Sequence, residues 1–274
     1  MNRLARVTAA AMVAVPLAVA LIGPYVARFA PQEPQSPFGP STWSWFGTDR
    51  LGRDVLAAAL TGGRPLIVTA AITVVGAYTI GFALGVAAAA ARRPWIDELI
   101  MRPIDVLLCL PALLVVMVAA LRSDGSGTAI AVAVCFVLIA PITRFIRMTA
   151  RRTVRSPAME ALRMQGAGAA ERYGGFALRQ LARPVAADVG VRLVAAIYVM
   201  AAANFIGIGF DTTSTDWAVA VAANKDGLTI APWSVYLPAT LIISLVLGLN
   251  LCCDVLLEDP ERAAMRRVSN VAPA

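Results

Sequence analysis

The sequence predicts an all-α integral membrane protein with six transmembrane helices and both termini on the cytoplasmic side. Three observations carry that prediction. Of 274 residues, 59% are hydrophobic and only 15% charged, where a soluble domain carries about 25% charged residues. Apolar runs of roughly 20 residues, the length that crosses a bilayer, recur along the whole chain. With the N-terminus inside, 17 of the 24 lysines and arginines fall in cytoplasmic segments and six in outer loops, as the positive-inside rule expects.

The first span is read at 7–27, behind Arg3 and Arg6. A basic start and an apolar core also fit a cleaved signal sequence, but the run is long for one and further spans follow. A Pro-rich linker, 31–40, leads to Trp43, Trp45 and Phe46, residues suited to a membrane interface. Turn residues then precede a helix start, with Asp54 placed to favour the helix N-terminus. The second span is read at 65–91, with Gly81 and Gly85 spaced to let another helix approach. The third covers 104–121, kinked at Pro111, and the fourth 128–146. The fifth and sixth are read at 184–208 and 233–256. Grouped by role, 1–64 holds the first span, linker and outer elbow, 65–260 a five-span core, and 261–274 a tail with Arg262, Arg266 and Arg267.

Absences restrict the chemistry. There is no histidine, so a Ser-His-Asp triad and an ordinary zinc site are excluded. The one lysine, Lys225, precedes Asp226, so no Gly-x4-Gly-Lys-Ser/Thr phosphate loop exists. The cysteines, Cys109, Cys135, Cys252 and Cys253, lie in apolar runs without paired metal spacing and read as small core residues. No catalytic constellation stands in mid-membrane, which argues against an intramembrane enzyme. A positive-inside bias explains the net charge of +7 without nucleic acid.

The most informative segment is cytoplasmic, 150–183. Ser156 caps a short helix with Pro157 at its first position and Glu160 in its first turn. Gly166 and Gly168 break it, and a second helix is read at 169–181. Such a knob is built to seat in a groove; the alternative is an amphipathic loop held on lipid by Arg144, Arg147, Arg151, Arg152 and Arg155.

These residues resemble the EAA loop of binding-protein-dependent ABC importer permeases. Glu160, Ala161 and Gly166 occupy the motif's places, with Leu162 for its second alanine. Residues 46–56 resemble the Gly-Thr-Asp-x-x-Gly-Arg-Asp-Val-Leu motif of the dipeptide/oligopeptide/nickel branch, C-type permease. Asp97, Glu98, Met101, Arg102, Asp105 and Pro111 match its approach to the third span. Phe205, Gly207 and Gly209 match its Phe-Leu-Gly-x-Gly turn, and Asn250 and Asp254 its last span. The departures are Leu178-Arg179 for the usual Leu-Pro, Met200 where an acidic residue often stands, and Cys253 for a glycine.

The resemblance implies a type I importer permease fold in a bacterial cytoplasmic membrane and import of dipeptides or oligopeptides. A permease for nickel, a metal chelate or another small solute is the alternative within the branch. It implies a homologous B-type permease, two ATPase subunits that bind ATP and Mg, an extracytoplasmic substrate-binding protein, and no cofactor on this chain. ATPase coupling is carried over to Glu160, Ala161, Leu162, Arg163, Gly166, Ala167 and Gly168. Outer-face contacts are carried over to Gly47, Asp49, Gly52, Arg53 and Asp54. The residues alone also allow Asp49, Arg50, Arg53 and Asp54 to be an internal salt-bridged elbow, which is favoured because exposed ion pairs contribute little. Asp211, Asp216 and Trp217 carry the same two readings. Asp105, Asp188, Arg192 and Asp254 are noted as charges near span ends, explained by snorkelling or interface contact.

Overall fold

A computed structural model describes residues 3–30, 33–123, 126–206 and 215–257. The side chain of Asp254, and all of Gly207, Gly209, Asp211, Arg262, Arg266 and Arg267, lie outside the described residues. Among those described, regular structure is helical apart from one isolated bridge, Thr48 to Asp54. The helices are α1 (Arg3–Val26), α2 (Val55–Ala90), α3 (Pro94–Cys109), α4 (Ala112–Arg122), α5 (Gly127–Val154), α6 (Pro157–Met164), α7 (Leu178–Phe205), α8 (Trp217–Asn224) and α9 (Trp233–Leu257).

The core pair is α2 and α5. Small residues on α2 let α5 approach: a Cβ at Gly81 would stand 2.7 Å from Ile142, and one at Gly85 2.7 Å from Ile146. Gly76 faces Cys135 at the other end of the same seam. Residue numbers rise together along both helices, so α2 and α5 run parallel. The chain between them must therefore recross the bundle.

That crossing is made by α3 and α4, which meet at an angle of 85°. The sequence expects a kinked span over 104–121; the structure has a break. Pro111 disfavours a helical conformation in the residue before it, and Leu110 is extended at φ −80°, ψ 128°. The helix ends at Cys109. Among the described residues five unbroken helices are long and apolar enough to span a membrane, and the bent pair, taken as one span, makes a sixth crossing. With six crossings, α1 begins and α9 ends at the end that carries α6. Met12 and Val13 of α1 pack on Gly248 of α9, and Ser244 Oγ donates to the Met12 carbonyl at 3.0 Å.

Two helices extend back past the proline at which their span is read, the first of them to the start that Asp54 marks in the sequence. The helix of the second span begins at Val55, capped by Asp54, and runs through Pro65. That of the fifth is continuous with a π-helical stretch, Ala170–Ala177, and runs through Pro184. The separate helix expected over 169–181 is thus the root of the fifth span. The fourth extends to Val154, keeping Arg147 and Arg151 helical.

At the opposite end, residues 33–54 form an elbow beside α8. Trp217 is fully buried, and its indole N–H donates to the Ala59 carbonyl at 2.6 Å. Gly63 leaves room for the ring, since a Cβ there would lie 2.4 Å from it.

Candidate functional site

The α6 knob is built by two local devices. Ser156 Oγ accepts the Met159 N–H at 3.3 Å, and Pro157 occupies the first helical position, where its missing donor costs nothing. At the far end the Gly166 N–H bonds the Arg163 carbonyl and the Ala167 N–H bonds the Leu162 carbonyl, both at 3.0 Å. This pair of bonds is a Schellman motif, whose turning residue is left-handed. Gly166 has φ +77°. Gly168 carries no such constraint, and a Cβ at either glycine would meet nothing within 4 Å.

Helical spacing divides α6 into faces. Met159 is fully buried and Leu162 half-buried, which seats the helix on the bundle. Glu160 and Arg163 pair at 3.1 Å and line a cleft toward the end of α2. The Tyr173 hydroxyl, and then Glu160, hold the Arg163 guanidinium in its charged form. Ala161, Met164 and Gln165 are exposed; Met164 keeps 79% of its surface free. Ala167 is half-buried at the turn.

The root of the knob is braced from the side. Asp97 at the start of α3 accepts from Arg147 Nε at 2.6 Å, from Arg147 Nη2, and from Arg151 Nη2 at 2.7 Å. It thereby ties α3 to the last turns of α5, from which α6 follows. Asp105 meets Arg144 at 3.3 Å with both side chains about half exposed.

The elbow residues face inward. Asp54 Oδ1 accepts the Ala57 N–H at 2.9 Å, and its Oδ2 accepts the hydroxyls of Ser44, at 2.6 Å, and Ser41. Asp49 accepts the backbone N–H groups of Leu51 and Arg53 at 2.8 Å, and Arg53 Nε at 2.9 Å. Both aspartates are 3% exposed. Gly47 and Gly52 are left-handed, and a Cβ on Gly52 would lie 2.1 Å from the Gln35 carbonyl oxygen. The Arg50 N–H reaches Asn224 Oδ1 at 2.9 Å, joining the elbow to α8. The elbow presents outward the Arg50 side chain and a fully exposed Trp45, together with Glu33 and several prolines, beside an edge-to-face pair of Phe46 and Trp233. Asp216 caps α8 through the Ala218 N–H at 2.8 Å, and burial pushes its carboxyl up to about 6.

One cluster was not legible as a cluster. Asp188 and Arg192, four residues apart on α7, pair through two contacts of 3.1 Å, and Tyr78 of α2 donates its hydroxyl to Asp188 at 2.5 Å. Their charges are held inside the bundle, so snorkelling does not account for them. The i, i+4 spacing of opposite charges within an apolar run is the signal that points to the pair; nothing pointed to Tyr78. Of the remaining motif residues, Phe205 closes α7 and Asn250 lies exposed on α9. Among the described residues no three His, Cys, Asp or Glu side chains come together as a metal set.

Residues 81–258 match the family described as "Binding-protein-dependent transport system inner membrane component". The dipeptide transport system permease protein DppC of Alkalihalophilus pseudofirmus is 30% identical over 218 residues, covering 79% of this chain and 71% of that one. The di/tripeptide transport system permease protein DppC of Pseudomonas aeruginosa is 31% identical over 246 residues, 86% of this chain and 80% of the relative. The probable D,D-dipeptide transport system permease protein DdpC of Escherichia coli is 27% identical over 252 residues, 90% and 84% of the two chains.

Proposed function

This chain belongs to the binding-protein-dependent transport system inner membrane component family, the permease subunits of ABC importers, and from that premise we propose that it conducts dipeptides or oligopeptides. The cargo reading is supported by the similar proteins, whose names specify dipeptide, di/tripeptide and D,D-dipeptide transport. The α6 end faces the cytoplasm of a bacterium, on the side to which the arginine bias assigns it.

Energy reaches the spans through α6. The observation that carries this reading is the exposed face of Ala161, Met164 and Gln165 on a helix clamped at both ends by its cap and its Schellman turn. A partner ATPase that binds and hydrolyses Mg-ATP seats this knob. A push on α6 is delivered to α5 and α7 together, because α6 joins the end of one to the helical root of the other. ATP binding then favours one of two packings of the bundle, and the docked helix conveys that preference. A homologous B-type permease completes the path, two ATPase subunits lie beneath, and a substrate-binding protein delivers cargo at the elbow end.

The test is to tag the chain, extract it in mild detergent and identify what accompanies it. A second permease and an ATPase are expected, and radiolabelled dipeptide should accumulate in vesicles carrying the full set. Recovery of the chain alone, even after crosslinking through a cysteine at position 164, would refute the docking role. An intact complex that moves no dipeptide would refute the cargo only.

A further inference from the structure

We propose that the cleft between the end of α2 and the α5–α6 corner binds the headgroup of an anionic phospholipid. The cleft encloses about 440 Å3 and is lined by Ala89, Arg92, Val154, Arg155, Glu160 and Arg163, among others. Arg163 is already shared with Glu160. Among the described residues, the guanidinium groups of Arg92 and Arg155 have no ion-pair or hydrogen-bond partner. The cleft therefore holds two uncompensated positive charges over apolar walls, a combination that fits a phosphate with its acyl chains nearby. A guanidinium meets a phosphate with two parallel N–H donors, which an ammonium does not.

Its level in the membrane selects the source of that phosphate. The uncharged run of α2 lasts to Ala91, so Arg92 is the first charged side chain at this end of that helix. Three residues on, Trp95 in the first turn of α3 keeps 57% of its surface exposed, and an exposed tryptophan at a span end marks the headgroup layer. Basic clefts between helices at that layer recognise anionic headgroups. The faces of α6 separate the two possible occupants: Glu160 and Arg163 turn to the cleft, while Ala161, Met164 and Gln165 are left for a protein. A bound headgroup would lie against α6 and stiffen its attachment to α2, so lipid composition would tune coupling. None of this depends on which cargo is carried.

The purified assembly containing this chain is titrated with phosphatidylglycerol in detergent, with phosphatidylcholine as the comparison lipid, and bound lipid is counted by native mass spectrometry. Wild type is expected to hold phosphatidylglycerol in preference to phosphatidylcholine. Each positive charge near an anionic headgroup contributes on the order of 1 kcal/mol, so Arg92→Gln with Arg155→Gln should weaken retention about 30-fold. Arg122→Gln, at the opposite end of the bundle, should retain lipid as wild type does, and equal thermal midpoints show that the variants are folded. Equal retention of the two lipids, or unchanged retention by the double variant, overturns the proposal. So does displacement by millimolar inorganic phosphate, which would make the cleft a small-anion site. Loss of the ATPase rather than of lipid would assign the arginines to an acidic protein surface instead.

Discussion

The two glycines of the α6 turn should separate folding from docking. Gly166 is left-handed at φ +77° and is the turning residue of the Schellman motif. An alanine there meets no atom within 4 Å, so its whole cost is conformational, about 1–2 kcal/mol for a residue with a Cβ. That disfavours the formed turn by about 5- to 30-fold. Gly168 is exposed and not left-handed, and a Cβ there meets open space, so Gly168→Leu should cost the isolated chain little. At a docked surface the same leucine must displace partner atoms, and such overpacking costs about 1–3 kcal/mol. In lipid nanodiscs containing the full assembly, Gly168→Leu should therefore cut ATPase retention and cargo-stimulated hydrolysis by about tenfold at an unchanged thermal midpoint. Gly166→Ala should lower coupling and also raise hydrogen exchange over 157–168. Wild-type ATPase retention and hydrolysis in Gly168→Leu would refute the argument, since the open side of the turn would then touch nothing.

Three further outcomes are expected. Asp188→Ala strands the Arg192 charge inside the bundle and should destabilise by about 3–5 kcal/mol. Asp188→Ala with Arg192→Leu should recover most of that loss in detergent unfolding, which an additive pair would contradict. Trp217→Ala should cost about 3–5 kcal/mol as a large buried ring is removed, whereas Trp45→Ala, on a fully exposed residue, should leave the midpoint unchanged. The Asp216 carboxyl is raised from 3.8 to about 6 by burial. Its contribution to stability is therefore full below pH 3.8, the unfolded value, and is lost as pH rises through about 6, a change on the order of 3 kcal/mol. Asp216→Asn should flatten that slope in unfolding measured across this range; an identical slope would show that Asp216 does not titrate as its burial dictates.

Much of α6 was legible because its signals are local. Ser156, Pro157 and Gly166 act through backbone groups within five residues, and local chemistry of that kind does not depend on the rest of the fold. The spans were harder to read at their prolines. Pro65 and Pro184 each open an apolar run read as a span, yet both helices run through them. In a membrane bundle neighbouring groups can satisfy the carbonyl that a proline leaves free, so the usual stop signal loses force. Pro111 shows the opposite outcome, a full break, because Leu110 is extended and Asp97 pins the start of α3 to α5. Sequence marks all three prolines alike; what distinguishes them is packing between helices distant in the chain. The same limit hid Tyr78, whose partner is 110 residues away.

The two ends of the bundle differ in how their polar groups are satisfied, and this bears on where partners act. At the elbow, Asp49 and Asp54 direct their carboxylates to neighbours within the chain, and Asn224 ties the turn to α8. Such an element contributes shape, and a partner meeting it would find Trp45 and the Arg50 side chain among exposed prolines and Glu33. At the α6 end, Arg92 and Arg155 stand without a counter-ion and Met164 stands in the open. An exposed methionine gains most by being covered, because its flexible thioether adapts to an imperfect groove. Unpaired guanidinium groups gain from an anion. On the proposed reading, the end that receives the ATPase is thus the end whose exposed methionine and unpaired arginines match an adaptable groove and an anion.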